Sequence, residues 1–262
     1  MKKRLTGMCC CLLLSCAFDP SFDYGPIAYI DEGFESAALP SWESQYSSVE
    51  NFRLTTDQPY EGAAAACFTI KAGGDYWLSP NNGSTTARSE LQVMGVAPAG
   101  TEVYYSWHIK IDADYAESAD WQVIGQFHDQ PDLALGESWN GYPANSPPLA
   151  FKYREGQLVV AVYSWETAGV MDIALAPLSK GVWHELTTHV RWSTGDDGFI
   201  EAWLDDVPIV SPDGITRYRA RNCFNQAGNY LKIGLYRSTS ILTEATVYYD
   251  RIKSGPSWAS VQ

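Results

Sequence analysis

Short runs of alternating hydrophobic and polar residues, each closed by turn-forming residues, dominate the chain. In 230–236, Leu231, Ile233 and Leu235 hold every second position, with Tyr230, Lys232, Gly234 and Tyr236 between them. A period of two sends alternate residues to opposite faces, so such a run predicts a strand with one face in a core. The same pattern predicts strands over 102–112, 121–128, 148–153, 158–165, 183–192, 199–204 and 246–253. Arg154-Glu155-Gly156-Gln157 and Thr194-Gly195-Asp196-Asp197-Gly198 separate neighbouring runs, and their Gly and Asp residues suit hairpin loops. No helical period of useful length, internal repeat or low-complexity linker breaks the series, so one domain over 27–262 is expected. Many antiparallel strands predict an all-β fold, a two-sheet antiparallel β-sandwich of the jelly-roll kind.

The two ends of the domain read as terminal strands of one sandwich, Asp31-Glu32-Gly33-Phe34-Glu35 and Tyr248-Tyr249-Asp250-Arg251-Ile252. Glu35 and Asp250 then either stand as solvated strand-end acids or share a structural Ca²⁺, a hard cation that takes several oxygen ligands. Asp112 to Glu117 lacks the glycine of a calcium loop and reads as a solvated loop.

Composition agrees with the β reading. Ten Trp, 16 Tyr and 9 Phe suit pleated surfaces, and 21 Gly and 14 Pro punctuate strands. With 18 Lys+Arg against 31 Asp+Glu the formal charge is −13, which argues against nucleic acid as a partner. At 45% hydrophobic and 19% charged, the chain is too apolar for a disordered acidic tail.

Residues 1–16 read as an export signal. Lys2, Lys3 and Arg4 precede a short apolar core, Met8 to Leu14. Leu13-Leu14-Ser15-Cys16 resembles a bacterial lipobox, although Leu14 stands where a smaller or β-branched residue is usual. Either Cys16 is lipidated, which would be the only attachment to a membrane, or a plain signal is cleaved between Ser15 and Phe18. In both cases the protein is exported, to the periplasm, the outer membrane or the medium. Loss of 1–15 removes three cations and no acid, taking the charge from −13 to −16. Cys67 and Cys223 remain in the body, as one disulfide or as two buried thiols. The four His residues lack zinc-motif spacing.

Three segments carry candidate chemistry. On the outward face of 230–236, Tyr230, Lys232 and Tyr236 flank Gly234, whose missing side chain would leave room for a ligand. Over 121–128, Trp121, Val123 and Phe127 are expected in the core, with Gln126 and His128 side by side on the other face. Histidine accepts a proton near neutral pH, and a Gln amide can donate to a carboxylate. In Ala87-Arg88-Ser89-Glu90-Leu91, Glu90 shares a face with Arg88 and could fix its guanidinium, the group suited to bidentate carboxylate recognition. Each segment alone is an ordinary exposed strand face or surface ion pair.

Taken in order, R-S-E-L, Q-x-H and Y-x-K-x-G-x-Y resemble the polysaccharide lyases with a concanavalin-like jelly roll. Family-7 alginate lyases carry similar R-[ST]-E, Q-[IV]-H and Y-F-K-x-G-x-Y segments. The likeness to heparin lyase I and the glucuronan lyases is closer. It runs through Gln126-Phe127-His128, Pro147-Pro148-Leu149-Ala150-Phe151, Gly181-Val182-Trp183-His184-Glu185, Asp197-Gly198-Phe199-Ile200-Glu201-Ala202-Trp203-Leu204 and Tyr230 to Arg237, and spans about residues 30–253.

The resemblance implies β-elimination on a 4-linked uronic-acid polysaccharide, glucuronan-type first, with alginate or heparin-like chains as alternatives. It implies Arg88 and Gln126 as neutralisers of the uronate carboxylate and Tyr236 as proton donor to the leaving oxygen. His128 is then base or second neutraliser, and Lys232 lowers the Tyr236 pKa or binds a flanking carboxylate. Tyr230, Glu90 and Lys152 complete the substrate side, Lys152 because it alternates with Leu149, Phe151 and Tyr153. Trp139 and Tyr142 lie in a loop-like stretch where they either stack on sugars or pack the loop. No cofactor is expected for catalysis, and the enzyme is expected to be a monomer. A lectin-like sandwich that binds carbohydrate without cleaving it is the rival reading. A hydrolase would need paired carboxylates, and Glu166, Glu185 and Glu201 stand singly. Arg88, Lys232 and Lys152 together predict a cationic groove in an anionic body.

Overall fold

The computed structural model describes residues 24–74, 76–78 and 85–262; the expected export signal and Cys16 lie outside them. In chain order the strands are β1 (Asp31–Glu32), β2 (Glu43–Tyr46), β3 (Phe52–Thr55), β4 (Ala65–Ile70), β5 (Tyr76–Leu78) and β6 (Thr85–Ala97). There follow β7 (Glu102–Ile111), β8 (Gln122–Asp129), β9 (Leu149–Arg154), β10 (Gln157–Ser164), β11 (Gly169–Pro177) and β12 (Trp183–Arg191). The last are β13 (Phe199–Leu204), β14 (Val207–Pro208), β15 (Tyr218–Arg219), β16 (Asn229–Arg237) and β17 (Ala245–Gly255). Every predicted strand is present. The pattern missed β4 and β11 and the short strands β2, β3, β5, β14 and β15, and it showed β6 only as a short polar motif.

Among the described residues the strands form two antiparallel sheets. The nine-stranded sheet runs β14-β13-β12-β7-β17-β4-β3, with β1 beside β17 and β15 beside β13. The eight-stranded sheet runs β11-β10-β9-β8-β16-β6-β2, with β5 beside β6. Both expected hairpins close: Arg154 pairs with Gln157 across Glu155 and Gly156, both at positive φ, and Arg191 pairs with Phe199. The chain ends meet as predicted, with Asp31 opposite Lys253 in β1 and β17.

Between the sheets lies one aromatic-rich core. Phe127 packs against Tyr105 at 4.7 Å and Trp192 at 4.8 Å between ring centroids, and Trp107 meets Phe151 edge-on at 5.4 Å. Trp192 Nε1 donates to the Tyr105 hydroxyl (2.8 Å), which donates to Val96 O (2.7 Å), so neither buried polar tip is left open. Truncating Phe127 or Trp107 to Ala is expected to cost about 3–5 kcal/mol. Leu231, Ile233 and Leu235 all point into this core, as their alternation required.

Three local readings change. In β8 the pairing with β9 shifts between Val123 and Gly125. The irregularity sends Ile124 to the core and leaves Trp121 exposed, with Val123 facing the opposite side from Phe127. Gly234 sits at φ +120°, and a Cβ there would lie 2.3 Å from Ser89 O and 2.9 Å from the Phe68 ring. That glycine is required for close approach of β16 to β6 and to the core, not for ligand space. Cys67 and Cys223 are both free and buried, so the two-thiol alternative holds.

Glu35 and Asp250 converge on one loop. Both Glu35 carboxylate oxygens accept from Ala63 N (3.1 and 2.9 Å). Asp250 accepts from Tyr60 N (2.8 Å), Glu61 N (3.2 Å) and Arg251 N (2.8 Å). Their oxygens thus cap backbone amides of 60–63, a role that needs no ion. Among the described residues no group of three or more His, Cys, Asp or Glu is arranged to hold a metal.

Candidate active site

The eight-stranded sheet has one face in the core and the other open. On the open face β16 is the central strand, flanked by β6 and β8, and register decides which side chains meet. Tyr236 lies opposite Arg88, Gly234 opposite Glu90, Lys232 opposite both Gln92 and Gln126, and Tyr230 opposite His128. Three segments far apart in sequence become adjacent because β16 pairs with both partners.

A buried carboxylate organises the centre. Glu90, 1% exposed, places Oε2 3.1 Å from Arg88 Nε and accepts at Oε1 from Gln126 Nε2 (2.6 Å). The two residues expected to neutralise the carboxylate, Arg88 and Gln126, are therefore held by one acid. Gln126 Oε1 is buried without a hydrogen-bond partner. Arg88 reaches on to Gln45 Oε1 through Nη1 (2.6 Å), and its Cζ lies 4.3 Å from the Tyr236 ring centroid. Trp121 meets the same Tyr236 ring edge-on at 4.7 Å. The phenol thus stands between a guanidinium and an indole, which fixes the ring with little freedom to rotate away.

His128 is fixed from behind. Its Nδ1 hydrogen-bonds to the Asp129 backbone O (3.1 Å) and lies 2.9 Å from Asp129 Oδ1, while Asn145 Nδ2 donates to Asp129 Oδ2 at 2.7 Å. Burial pushes the Asp129 pKa up, but hydrogen bonds from His128 and Asn145 outweigh it and hold the carboxyl below its ordinary value. An ionised Asp129 orients the ring with its proton on Nδ1, leaving Nε2 as the nitrogen with a lone pair.

Arg88, Gln126, His128, Lys152 and Tyr236 line one cleft of about 460 Å³, with Trp121, Val123 and the loop 144–147 forming its rims. The fold therefore brings all four expected catalytic residues and Lys152 together. Lys152 is partly neutralised, since its Nζ bonds Asp172 Oδ1 at 2.7 Å and Arg154 holds the other oxygen.

Lys232 and Tyr230 depart from expectation. Lys232 is 2% exposed, donates to Gln45 Oε1 (2.9 Å) and lies 5.4 Å over the Tyr230 ring. Burial, with Arg88 adding repulsion, lowers its pKa to about 7. The cation beside Tyr236 is Arg88. Tyr230 is also buried, its pKa pushed up by burial, and it packs against His128 at 5.7 Å and Trp139 at 5.9 Å. Trp139 in turn meets Tyr142, whose hydroxyl donates to Gln130 O at 2.8 Å, so the pair packs within the loop. Arg237 points away from the cleft and donates to Thr243 O.

Sequence reasoning missed Gln45, Asp129 and Asn145. Asp129 adjoins His128 in the chain and was findable as a His-Asp pair; Gln45 sits on an edge strand, Glu-Ser-Gln-Tyr, with no distinguishing pattern.

The family model for polysaccharide lyases matches residues 34–253, most of the chain, and the protein belongs to that family and is an enzyme of it. Its fold is that of an endo-β-1,4-glucuronan lyase from the fungus Trichoderma reesei, at 17% identity over 89% of this chain and 97% of that one, with a TM-score of 0.66. The alginate lyase AlgAT5 of polysaccharide lyase family 7 is similar at 15% identity, covering 84% of this chain and 95% of that one (TM-score 0.53). A family-7 alginate lyase A1-II′ in complex with product shares 16% identity over 83% and 95% (TM-score 0.55). No curated protein matches the chain.

Proposed function

We propose that this enzyme cleaves a 4-linked uronic-acid polysaccharide by β-elimination, leaving a C4=C5 unsaturated uronate at the new end. The observation that carries the reading is the convergence of Arg88, Gln126, His128 and Tyr236 on one cleft of the open sheet face. Family-7 alginate lyases of the same fold are known with substrate and with product bound.

The chemistry follows from what the substrate resists. The C5 proton of a uronate is barely acidic while the adjoining carboxylate is ionised, because its removal adds charge to an anion. Donors aimed at that carboxylate stabilise the enolate-like state. Arg88 brings a guanidinium already oriented by Glu90 and Gln45, and Gln126 brings an amide oriented by the same Glu90. With the carboxylate neutralised, a base takes the C5 proton and an acid protonates the leaving O4. Tyr236 donates to O4. When H5 and O4 lie on one side of the ring, Tyr236 serves both steps, with the Arg88 guanidinium over its face. When they lie on opposite sides, His128 is the base through Nε2, with Asp129 stabilising the imidazolium that forms.

Every proton and charge is thereby assigned to a side chain, so treatment with EDTA is expected to leave the rate unchanged. We further read the enzyme as an exported monomer. The direct test is incubation with glucuronan, alginate and heparin-type chains while ultraviolet absorbance is followed. Growth of absorbance with shortening of the chain supports elimination. Clear binding of these polymers without any absorbance would establish a lectin-like role instead.

A further inference from the structure

The loop 136–148 has two sides. One side forms a rim of the cleft; the other, with Phe224 and Asn225, encloses a second pocket of about 480 Å³. Asn145 belongs to both walls, and its amide bonds Asp129 behind His128. One side chain therefore stands between the two spaces.

Their chemistry differs. Arg88, Lys152 and His128 face the cleft. The second pocket offers Ser138 and Asn140 as neutral hydrogen-bonding groups and Phe224 as an aromatic surface, with Tyr142 and Asn225 in its wall donating to Gln130 O; Glu137 is its one charged wall residue. Glu137 Oε2 accepts from Asp132 N (2.6 Å) and lies 3.2 Å from Asn225 Nδ2, with no cation bonded to it. Asn225 Oδ1 is buried without a partner and so holds acceptor capacity for a hydroxyl. A uronate in this pocket would set its carboxylate against Glu137, with no Lys, Arg or His in the wall among the described residues. A neutral ring would meet donors, acceptors and an apolar face, the usual furniture of a carbohydrate site.

We propose that this pocket is a sugar subsite adjoining the cleft that takes a ring bearing neither carboxylate nor sulfate. The natural polymer then carries a neutral sugar next to the uronate at which elimination occurs. This rests on the cleft being the site of uronate elimination, and it departs from a homopolymeric glucuronan as the preferred substrate.

Initial rates of unsaturated-end formation decide the matter, measured at low salt on two polymers. One is 4-linked polyglucuronate; the other is an unsulfated chain in which 4-linked glucuronate alternates with N-acetylglucosamine. The alternating polymer is expected to show about tenfold higher kcat/KM, since like charges placed together disfavour the wrong partner. Glu137→Gln keeps the side-chain shape and is expected to narrow the ratio by raising the homopolymer rate. Added salt should narrow it in the unaltered enzyme as well, by screening, which serves if the variant fails to fold. Equal or better turnover of the homopolymer at low salt, or a ratio indifferent to both Glu137→Gln and salt, overturns the subsite. Absence of unsaturated product from these polymers and from alginate would instead bring down the elimination reading, and the subsite with it.

Discussion

Two faces of the sandwich present histidines beside carboxylates, and they differ in what is left open. On the outer face of the nine-stranded sheet, His189 is 2.8 Å from Glu201 through Nδ1 and 2.8 Å from Glu102 through Nε2. Tyr104 stacks on its ring at 3.9 Å and Phe199 meets it edge-on at 4.9 Å. Both nitrogens and the ring surfaces are taken, so this histidine ties strands together. On the open face of the eight-stranded sheet, His128 has one nitrogen on Asp129 and its ring lines the cleft. A carboxylate beside a histidine is thus no mark of catalysis. What sets His128 apart is the open cleft that its ring lines.

The largest expected effect breaks the open face at its proposed proton donor. Tyr236→Phe removes one hydroxyl while keeping the ring between Arg88 and Trp121. Turnover should fall by about 10³-fold or more, within the range for a lost acid or base, with polymer affinity nearly unchanged. Steady-state kinetics alongside a binding isotherm separates the two, and a near-normal rate removes Tyr236 from the mechanism.

Next comes the orienting acid. Asp129→Asn removes the negative charge 2.9 Å from Nδ1 that stabilises the imidazolium, while the backbone O of residue 129 still accepts from Nδ1. A drop of about 10²-fold in kcat is expected, again the scale of acid–base catalysis. The matching change on the outer face, Glu201→Gln, should leave kcat where it was. Equal losses from both would erase the distinction between the two histidines.

A smaller loss is expected at Gln45, which reaches the site from the edge strand β2. Its Oε1 accepts from both Arg88 and Lys232, and its Nε2 donates to Gln92 Oε1 at 2.5 Å. Gln45→Ala frees Arg88 on one side while Glu90 still holds the other, so kcat/KM should fall about tenfold, the value of one charged hydrogen bond. The buried Lys232 also shapes stability. Its pKa falls from 10.5 to about 7 on folding, so above about pH 7 the unfolded chain holds the extra proton and stability rises with pH. From pH 7 to about 9 denaturant titrations should show this rise, at most about 1.4 kcal/mol per pH unit from one group. Lys232→Met should flatten it.

Alternation made the strands legible, and with them the faces of β16, because Leu231, Ile233 and Leu235 leave no choice of side. Order along the chain also carried the site, since Arg88, Gln126, His128 and Tyr236 sit in motifs that name their neighbours. What stayed hidden depends on pairing rather than pattern. A shift of register within β8 moved Trp121 and Val123 to the cleft, and no local residue preference announces such a shift. Lys232 looked exposed by parity, yet strand β2 and the Gln45 side chain cover it, a contact between residues 187 positions apart. The cationic groove shrank for the same reason: parity gives the face, while burial of Lys232 and the Asp172 partner of Lys152 are set by elements far away in sequence.

The smallest effect lies wholly on the outer face, and it concerns stability alone. His108 is 2% exposed and stacks on Tyr60 with centroids 3.5 Å apart. Burial, reinforced by the nearby Arg251 and weakly opposed by Asp205, lowers its pKa from 6.5 to about 4. Its cross-strand neighbours are Glu185 and Asp250. Since the folded pKa lies below the unfolded one, the unfolded chain takes up the proton first as pH falls. The stability is complete above about pH 6.5 and declines below it, at most about 1.4 kcal/mol per pH unit. Asp250 acts in the opposite direction at lower pH, because burial raises its pKa and the folded chain then protonates it first. The window from about pH 6.5 to 5 therefore isolates His108. His108→Phe keeps a ring against Tyr60 and cannot titrate, so urea midpoints over that window should flatten while kcat at neutral pH stays unchanged. A change in kcat instead would mean that the outer face communicates with the cleft through the core, and that the two sheets do not divide stability from chemistry.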